Sequence, residues 1–305
     1  MKHLNLGGVG VSVSAVALGV MRITKLNVDE ATNLLESAHN AGINFFDNAD
    51  IYDGGKAETL FGQALKKASF SRDDVIVQSK VGIVPGKRYD FSKQHITEAV
   101  DGSLKRLGLD YLDVLLLHRP DALMEPDEVA AAFDELQAAG KVRHFGVSNC
   151  NPMQIELLKK AVKQPLVANQ LQFAVTHTGM IDGGIHVNMT DDRSVDHDGS
   201  ILEYSQLHDM TIQAWSPFQY GFFEGVFIDN PKFPKLNAKL QELADKYHTN
   251  SSAIAAAWLI RVPGTQVIAG TTNAKRIANI AEGGDITLSR QEWYDVYFAA
   301  GNDLP

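Results

Sequence analysis

The sequence predicts an α/β fold: a single (β/α)8 barrel, the TIM-barrel architecture, formed by residues 1–305 as one domain. Short apolar, β-branched runs recur at about 30-residue intervals, each followed by a helix-length amphipathic stretch. That alternation is the pattern of repeated βα units and of a parallel sheet. Eight such runs occur, and no composition break or Pro/Gly/Ser-rich linker separates them, which favours closure into a barrel over an open doubly wound sheet.

The runs are Ser14 to Leu18, Ile43 to Phe46, Val75 to Gln78, Asp113 to Leu117, His144 to Val147, Leu166 to Asn169, Thr211 to Ala214 and Gln266 to Ile268. Helices are expected between them, among others over Asp29 to Ala41, Ala57 to Ala68, Lys93 to Leu107 and Pro126 to Ala139. Ahead of the first run, residues 3–14 alternate polar and apolar around Gly7, Gly8 and Gly10, which reads as a β-hairpin capping the barrel floor. A dinucleotide-binding glycine turn would require a third glycine where Val13 stands and a strand before it, so that reading is rejected. Phe173 to Gly199 and Ser216 to Lys235 are too long for simple βα loops and are expected at the active-site end of the barrel.

Hydrophobic residues at 45% and charged residues at 21% supply a sizeable core. A formal net charge of −9 without a long Lys/Arg cluster argues against nucleic acid as a partner, and an anionic cofactor would need its own local basic pocket. The apolar stretch Val13 to Met21 holds Ser14 and Gly19 and is shorter than the roughly 20 residues of a membrane span, so neither an anchor nor an export signal is expected. The lone Cys150 excludes an intramolecular disulfide and fits a reducing compartment, with the cytoplasm as the expected location. No feature specifies an oligomeric state.

Chemistry on such a barrel lies at the C-terminal strand ends. There the chain offers Gly19 with Met21 and Arg22, then Asp47, Lys80, His118, Ser148 with Asn149, Gln170, Trp215 with Ser216, and Gly270 with Thr271. Asp47, Lys80 and His118 each close an apolar run abruptly, and Tyr52 follows five residues after Asp47. A lysine beside a phenol favours the phenolate and is expected to lower the tyrosine pKa from about 10 toward working pH. Asp47 can hold that lysine as an ion pair, while a neutral His118 can donate to a polarised carbonyl oxygen. The chemistry implied is proton delivery to a carbonyl, and the expected partner is a small carbonyl compound.

DNADIYDGGKAE at 47–58, VIVQSK ending at Lys80, LLLHRPD around His118, KVRHFGVSN at 141–149, VANQLQF at 167–173, AWSPFQYG at 214–221 and GTTNAKRIANI at 270–280 resemble the aldo-keto reductase family over essentially the whole chain. The resemblance implies an NADP(H)-dependent reduction of an aldehyde or ketone by direct hydride transfer, with Tyr52 as general acid, Lys80 and Asp47 tuning it, and His118 orienting the carbonyl. It further implies that Ser148, Asn149 and Gln170 bind the nicotinamide carboxamide and that Trp215 stacks on the ring. Ser216, Pro217, Phe218, Gln219 and Gly221 resemble the family's pyrophosphate loop. Gly270, Thr271, Thr272 and Asn273 open a helix whose N–H groups favour an anion, and Arg276 can fork onto the adenosine 2′-phosphate. Many members carry Lys in place of Gly270 and Glu in place of Asn279; Arg276 and the threonines still support NADP(H).

Substrate identity is expected to be set by the 179–200 segment together with Met21, Tyr89, Tyr220, Phe222 and Phe223. That acidic segment lacks the register of a calcium loop and the spacing of a zinc site, so it is read as a solvated loop beside the substrate mouth and no metal is expected. Cys150 has no evident base beside it and is read as a small filler. Two other functions fit parts of the pattern. One is a cofactor-binding, redox-sensing regulatory protein with slow turnover; the other is a Schiff-base aldolase using Lys80, disfavoured because Asp47 would keep the lysine protonated.

Overall fold

The computed structural model describes residues 1–305. Eight parallel strands close into a barrel in chain order: Val16–Gly19, Phe45–Asp47, Ile76–Val81, Leu112–Leu117, Val142–Ser148, Leu166–Gln172, Thr211–Trp215 and Thr265–Ala269. Closure comes from pairing of the eighth strand with the first, Val267 opposite Val16 and Ala269 opposite Leu18. Each expected run falls on its own strand, and the strands extend past several runs at the polar end, where ladder hydrogen bonding continues after hydrophobicity has stopped. No helix is long and apolar enough to cross a membrane.

The helices form on apolar stripes, and many open on a start signal. Val28–Asn40 buries Ala31, Leu34, Leu35 and Ala38, a 3.6-residue spacing, behind a capping box of Asn27 and Glu30. Each fully buried leucine contributes roughly 2 kcal/mol over an exposed one. Lys56–Lys67 and Lys93–Leu107 approach so closely that a Cβ on Gly62 would lie 2.1 Å from the Leu107 carbonyl oxygen. Trp258 on Ser251–Ile260 and Trp293 on Arg290–Ala299 stack at 4.6 Å and 7°, and each indole N–H donates to the other's backbone carbonyl.

His3–Leu6 and Val11–Ser14 pair antiparallel as the expected floor hairpin. Leu6 and Val13 are fully buried against Phe45, Val114, Leu116, Ala168 and Ile268, which fill the barrel interior. Gly7, with φ +53°, lets the turn touch Val167, whose Cα would lie 2.4 Å from a Cβ. Strand alternation then carries the inward face upward from Phe45 to Asp47, from Gln78 to Lys80, from Leu116 to His118 and from Gln213 to Trp215.

The 179–200 segment departs from expectation. It contains a helix, Gly179–Ile185, and two of its side chains, His186 and Arg193, hold residues 301–303, while most of residues 187–200 is exposed as expected. Arg193 pairs with Asp182 (3.1 Å) and Asp303 (2.9 Å) and donates to the Asn302 side chain (2.7 Å) and the Gly301 carbonyl (2.9 Å). Asp182 also accepts from the Tyr297 hydroxyl at 2.6 Å. Asp182 thus satisfies both a guanidinium and a buried phenol, while Asp196 and Asp198 accept from backbone N–H groups of the loop itself.

Candidate active site

Lys80 is fully buried at the end of the third strand, and its ammonium is surrounded by acceptors. Nζ lies 2.8 Å and 2.9 Å from the two Asp47 oxygens and donates to the Asn48 carbonyl (2.7 Å) and the Tyr52 hydroxyl (3.0 Å). Tyr52 reaches this position through a turn in which Asp53, Gly54 and Gly55 all take positive φ. The following helix is tied back by the buried Glu58, which accepts from Ser79 (2.6 Å) and Arg106 (2.7 Å). The Tyr52 and His118 rings meet edge-on at 6.1 Å, and His118 Nδ1 has no protein partner.

The electrostatics correct one expectation. Burial raises the Tyr52 pKa more strongly than Lys80 lowers it, and Asp47 adds to the rise, so the phenol stays above its ordinary range. Tyr52 is therefore a protonated phenol with the Lys80 ammonium beside its hydroxyl. Burial works to lower Lys80, but Asp47 and Tyr52 overcome it and hold the ammonium charged. A charged lysine cannot attack a carbonyl, which removes the main requirement of the Schiff-base reading. Burial, then Lys80 and Arg119, hold His118 well below its ordinary range, as a neutral imidazole.

A cavity of about 850 Å³ opens onto these groups. Asp47, Tyr52 and His118 line it, as do Gly19, Met21, Arg22, Ser148, Asn149, Gln170, Trp215, Ser216, Pro217, Phe218, Gln219, Gly270, Thr271, Thr272 and Arg276. Ser148 donates to the Gln170 carbonyl (2.9 Å), Asn149 Nδ2 to Ser148 (2.7 Å) and the Trp215 indole to Asn149 Oδ1 (3.1 Å), so these side chains are fixed as a chain. Asn149 and Ser216 hold left-handed backbone, φ +58° and +51°, which turns the chain sharply off the fifth and seventh strands. Asn273 and Asn279 border an adjoining cavity that shares Arg276. Asn273 caps the helix Ala274–Ala281 by accepting from the Arg276 N–H at 2.9 Å.

Some expected residues lie elsewhere. Gly221 is outside both cavities and permits a tight turn at φ +58°. Tyr89, Tyr220, Phe222 and the 179–200 segment do not line the main cavity: Tyr89 is exposed on a two-residue strand pair, and Tyr220 packs on Phe233 at 5.0 Å. Met21 and Phe223 do line it, and Phe223 stacks beside Trp215 at 6.0 Å. Cys150 is buried and its thiol pushed up to about 12, an inert filler. Sequence reasoning missed Lys25, Ile51, Ile83 and Arg119, all lining the cavity, with the Arg119 guanidinium 5.6 Å from the Trp215 ring centre. The only signal for Arg119 was its place directly after His118.

Barrel closure, a tyrosine–lysine–aspartate cluster at its mouth and an adjacent histidine define a barrel oxidoreductase site. The Aldo/keto reductase family model matches residues 15–297, and the chain belongs to that family. It is 34% identical to a 6-dehydroglucose reductase of Agrobacterium fabrum, covering 87% of this chain and 86% of that one. It is 31% identical to the oxidoreductase YdhF of Escherichia coli over the full length of both. Among solved structures, an aldo/keto reductase from Klebsiella pneumoniae in complex with NADP and acetate superposes with a TM-score of 0.78 at 25% identity, covering 97% of this chain and 94% of that one.

Proposed function

We propose that this protein reduces an aldehyde or ketone with NADPH and that Tyr52 gives the proton to the carbonyl oxygen. The observation that carries the reading is the single ammonium of Lys80, held between Asp47 and the hydroxyl of Tyr52 at the cavity wall. A neutral His118 beside Tyr52 can donate to the same oxygen and orient it. As the Tyr52 proton leaves, Lys80 compensates the phenolate charge without moving.

The cavity suits an elongated anionic dinucleotide. Trp215 offers a ring face, and the Gln170 carboxamide oxygen is free to accept from a carboxamide while its nitrogen is committed to Asp47 and Gln213. Gly270 leaves open space with Arg22 Nη1 the nearest side-chain atom, 3.8 Å from a Cβ. Arg22, Lys25 and Arg276 supply the local basic pocket that a chain of net charge −9 would need for phosphates, and Arg276 favours NADP(H). NADPH bound there supplies the hydride to the carbonyl carbon. Ile51, Ile83 and Phe223, with Arg119 near His118, face the substrate side.

Tyr52→Phe is expected to lower turnover by about 10² to 10⁴, the usual contribution of general acid catalysis, with NADPH affinity nearly intact. Steady-state kinetics over a panel of aromatic and sugar aldehydes, 6-dehydroglucose among them, would check this; wild-type turnover in Tyr52→Phe would refute the mechanism. Tight NADPH binding by the unmodified enzyme without turnover on any carbonyl would favour a redox-sensing role.

A further inference from the structure

Directly beneath the catalytic cluster the barrel interior carries four glutamines, one each from the third, sixth, seventh and eighth strands: Gln78, Gln170, Gln213 and Gln266. All are buried, where barrels of this kind usually place branched apolar side chains. Burying carboxamides is costly unless their hydrogens are committed, and here they are. Gln78 Nε2 donates to Asp47 Oδ1 (2.6 Å) and to Gln213 Oε1 (2.9 Å). Gln213 Nε2 donates back to Gln78 Oε1 (3.1 Å) and onward to Gln266 Oε1 (3.0 Å), and Gln266 donates to the Ser14 carbonyl (2.8 Å).

The third and seventh strands stand opposite each other, so the reciprocal Gln78–Gln213 amide pair spans the barrel. Its orientation is unique, because acceptors close both ends: a carboxylate at Asp47 and a backbone carbonyl at Ser14. Turning the Gln78 amide over would set two oxygens 2.6 Å apart with no proton between them. From this geometry we infer that Gln78 and Gln213 are positioning residues, a carboxamide strut that fixes the Asp47 carboxylate, and through it the Lys80 ammonium, against Tyr52. The inference rests on Tyr52 being the proton donor. A stability role alone would be served at least as well by apolar side chains of similar volume.

The test compares Gln78→Met, Gln213→Met and the double variant by kcat against pH, NADPH Kd and thermal midpoint. Each single variant strands its partner's amide and melts lower. The double variant removes both amides but leaves Gln266 Oε1 without its donor and Gln170 Nε2 with one acceptor fewer, so it recovers only part of the midpoint. Its kcat stays about tenfold below wild type, its pH profile moves by about one unit, and its NADPH Kd stays within about twofold. A double variant whose pH profile overlays the wild type overturns the inference. Should the double variant not fold, Gln78→Glu replaces it. The protonated carboxyl donates to Asp47 as the amide does and the ionised one repels it, so activity falls at lower pH than in wild type, and an unshifted profile refutes the strut. Tyr52→Phe run alongside separates the two ideas. Wild-type turnover there overturns the acid assignment itself, whereas an inactive Tyr52→Phe with a wild-type-like double variant overturns only the strut.

Discussion

Asp50, between Asp47 and Tyr52 in sequence, makes stability depend on pH in its own right. Burial, reinforced by the charge of Glu58 and opposed by Arg106 and Lys80, pushes its carboxyl up to about 7. The folded state thus favours the protonated form. That contribution is complete below the ordinary carboxylate value of 3.8 and is lost as pH rises through about 7. Asp50→Asn should match the wild type near pH 4 and exceed it by about 2 kcal/mol at pH 8, within the ~4 kcal/mol that three pK units could carry. Denaturant titrations at the two pH values check this, and a difference that does not change with pH would exclude it. At this scale the sequence disclosed Asp47, Lys80 and His118 because each ends an apolar run at an inward position. The net direction of the Tyr52 shift was hidden, since burial outweighs the lysine and burial cannot be read from a motif. Gln78 and Gln213 were hidden too, as polar residues within strands with nothing to mark them as paired.

Elements pack here through a few close approaches. Gly62→Ala would drive a methyl group into the Leu107 carbonyl and separate two neighbouring helices, at a cost of about 1–3 kcal/mol. A lowered melting temperature with unchanged NADPH affinity is the expected outcome, and an unchanged melting temperature would show that the helices shift freely. Strand and helix positions were legible because hydrophobic period sets them; the first four expected helices end within one residue of those observed. The 179–200 segment was not legible in this way. Its Asp182 answers Arg193 and Tyr297, and Tyr297 is more than a hundred residues distant in sequence.

For the molecule as a whole, a net charge of −9 repels a polyanion while Arg22, Lys25 and Arg276 attract it locally. NADPH affinity should therefore weaken as ionic strength rises toward physiological values. Arg276→Ala should cost about tenfold in NADPH Kd and under about threefold in NADH Kd, measured by fluorescence titration; equal losses for both would detach Arg276 from the 2′-phosphate. Barrel closure was readable at this scale from eight repeats without a linker, whereas which side chains share the cavity depended on the long loops. The three tryptophans divide cleanly between these concerns. Trp258 and Trp293 lie face to face in the helical layer, so their transitions couple and give a paired circular-dichroism band that vanishes when that layer loosens. Trp215 stands apart at the cavity wall. One sample thus offers two optical channels, ellipticity for the integrity of the scaffold and emission for occupancy of the site, and a variant that dims one while sparing the other declares which of the two it has damaged.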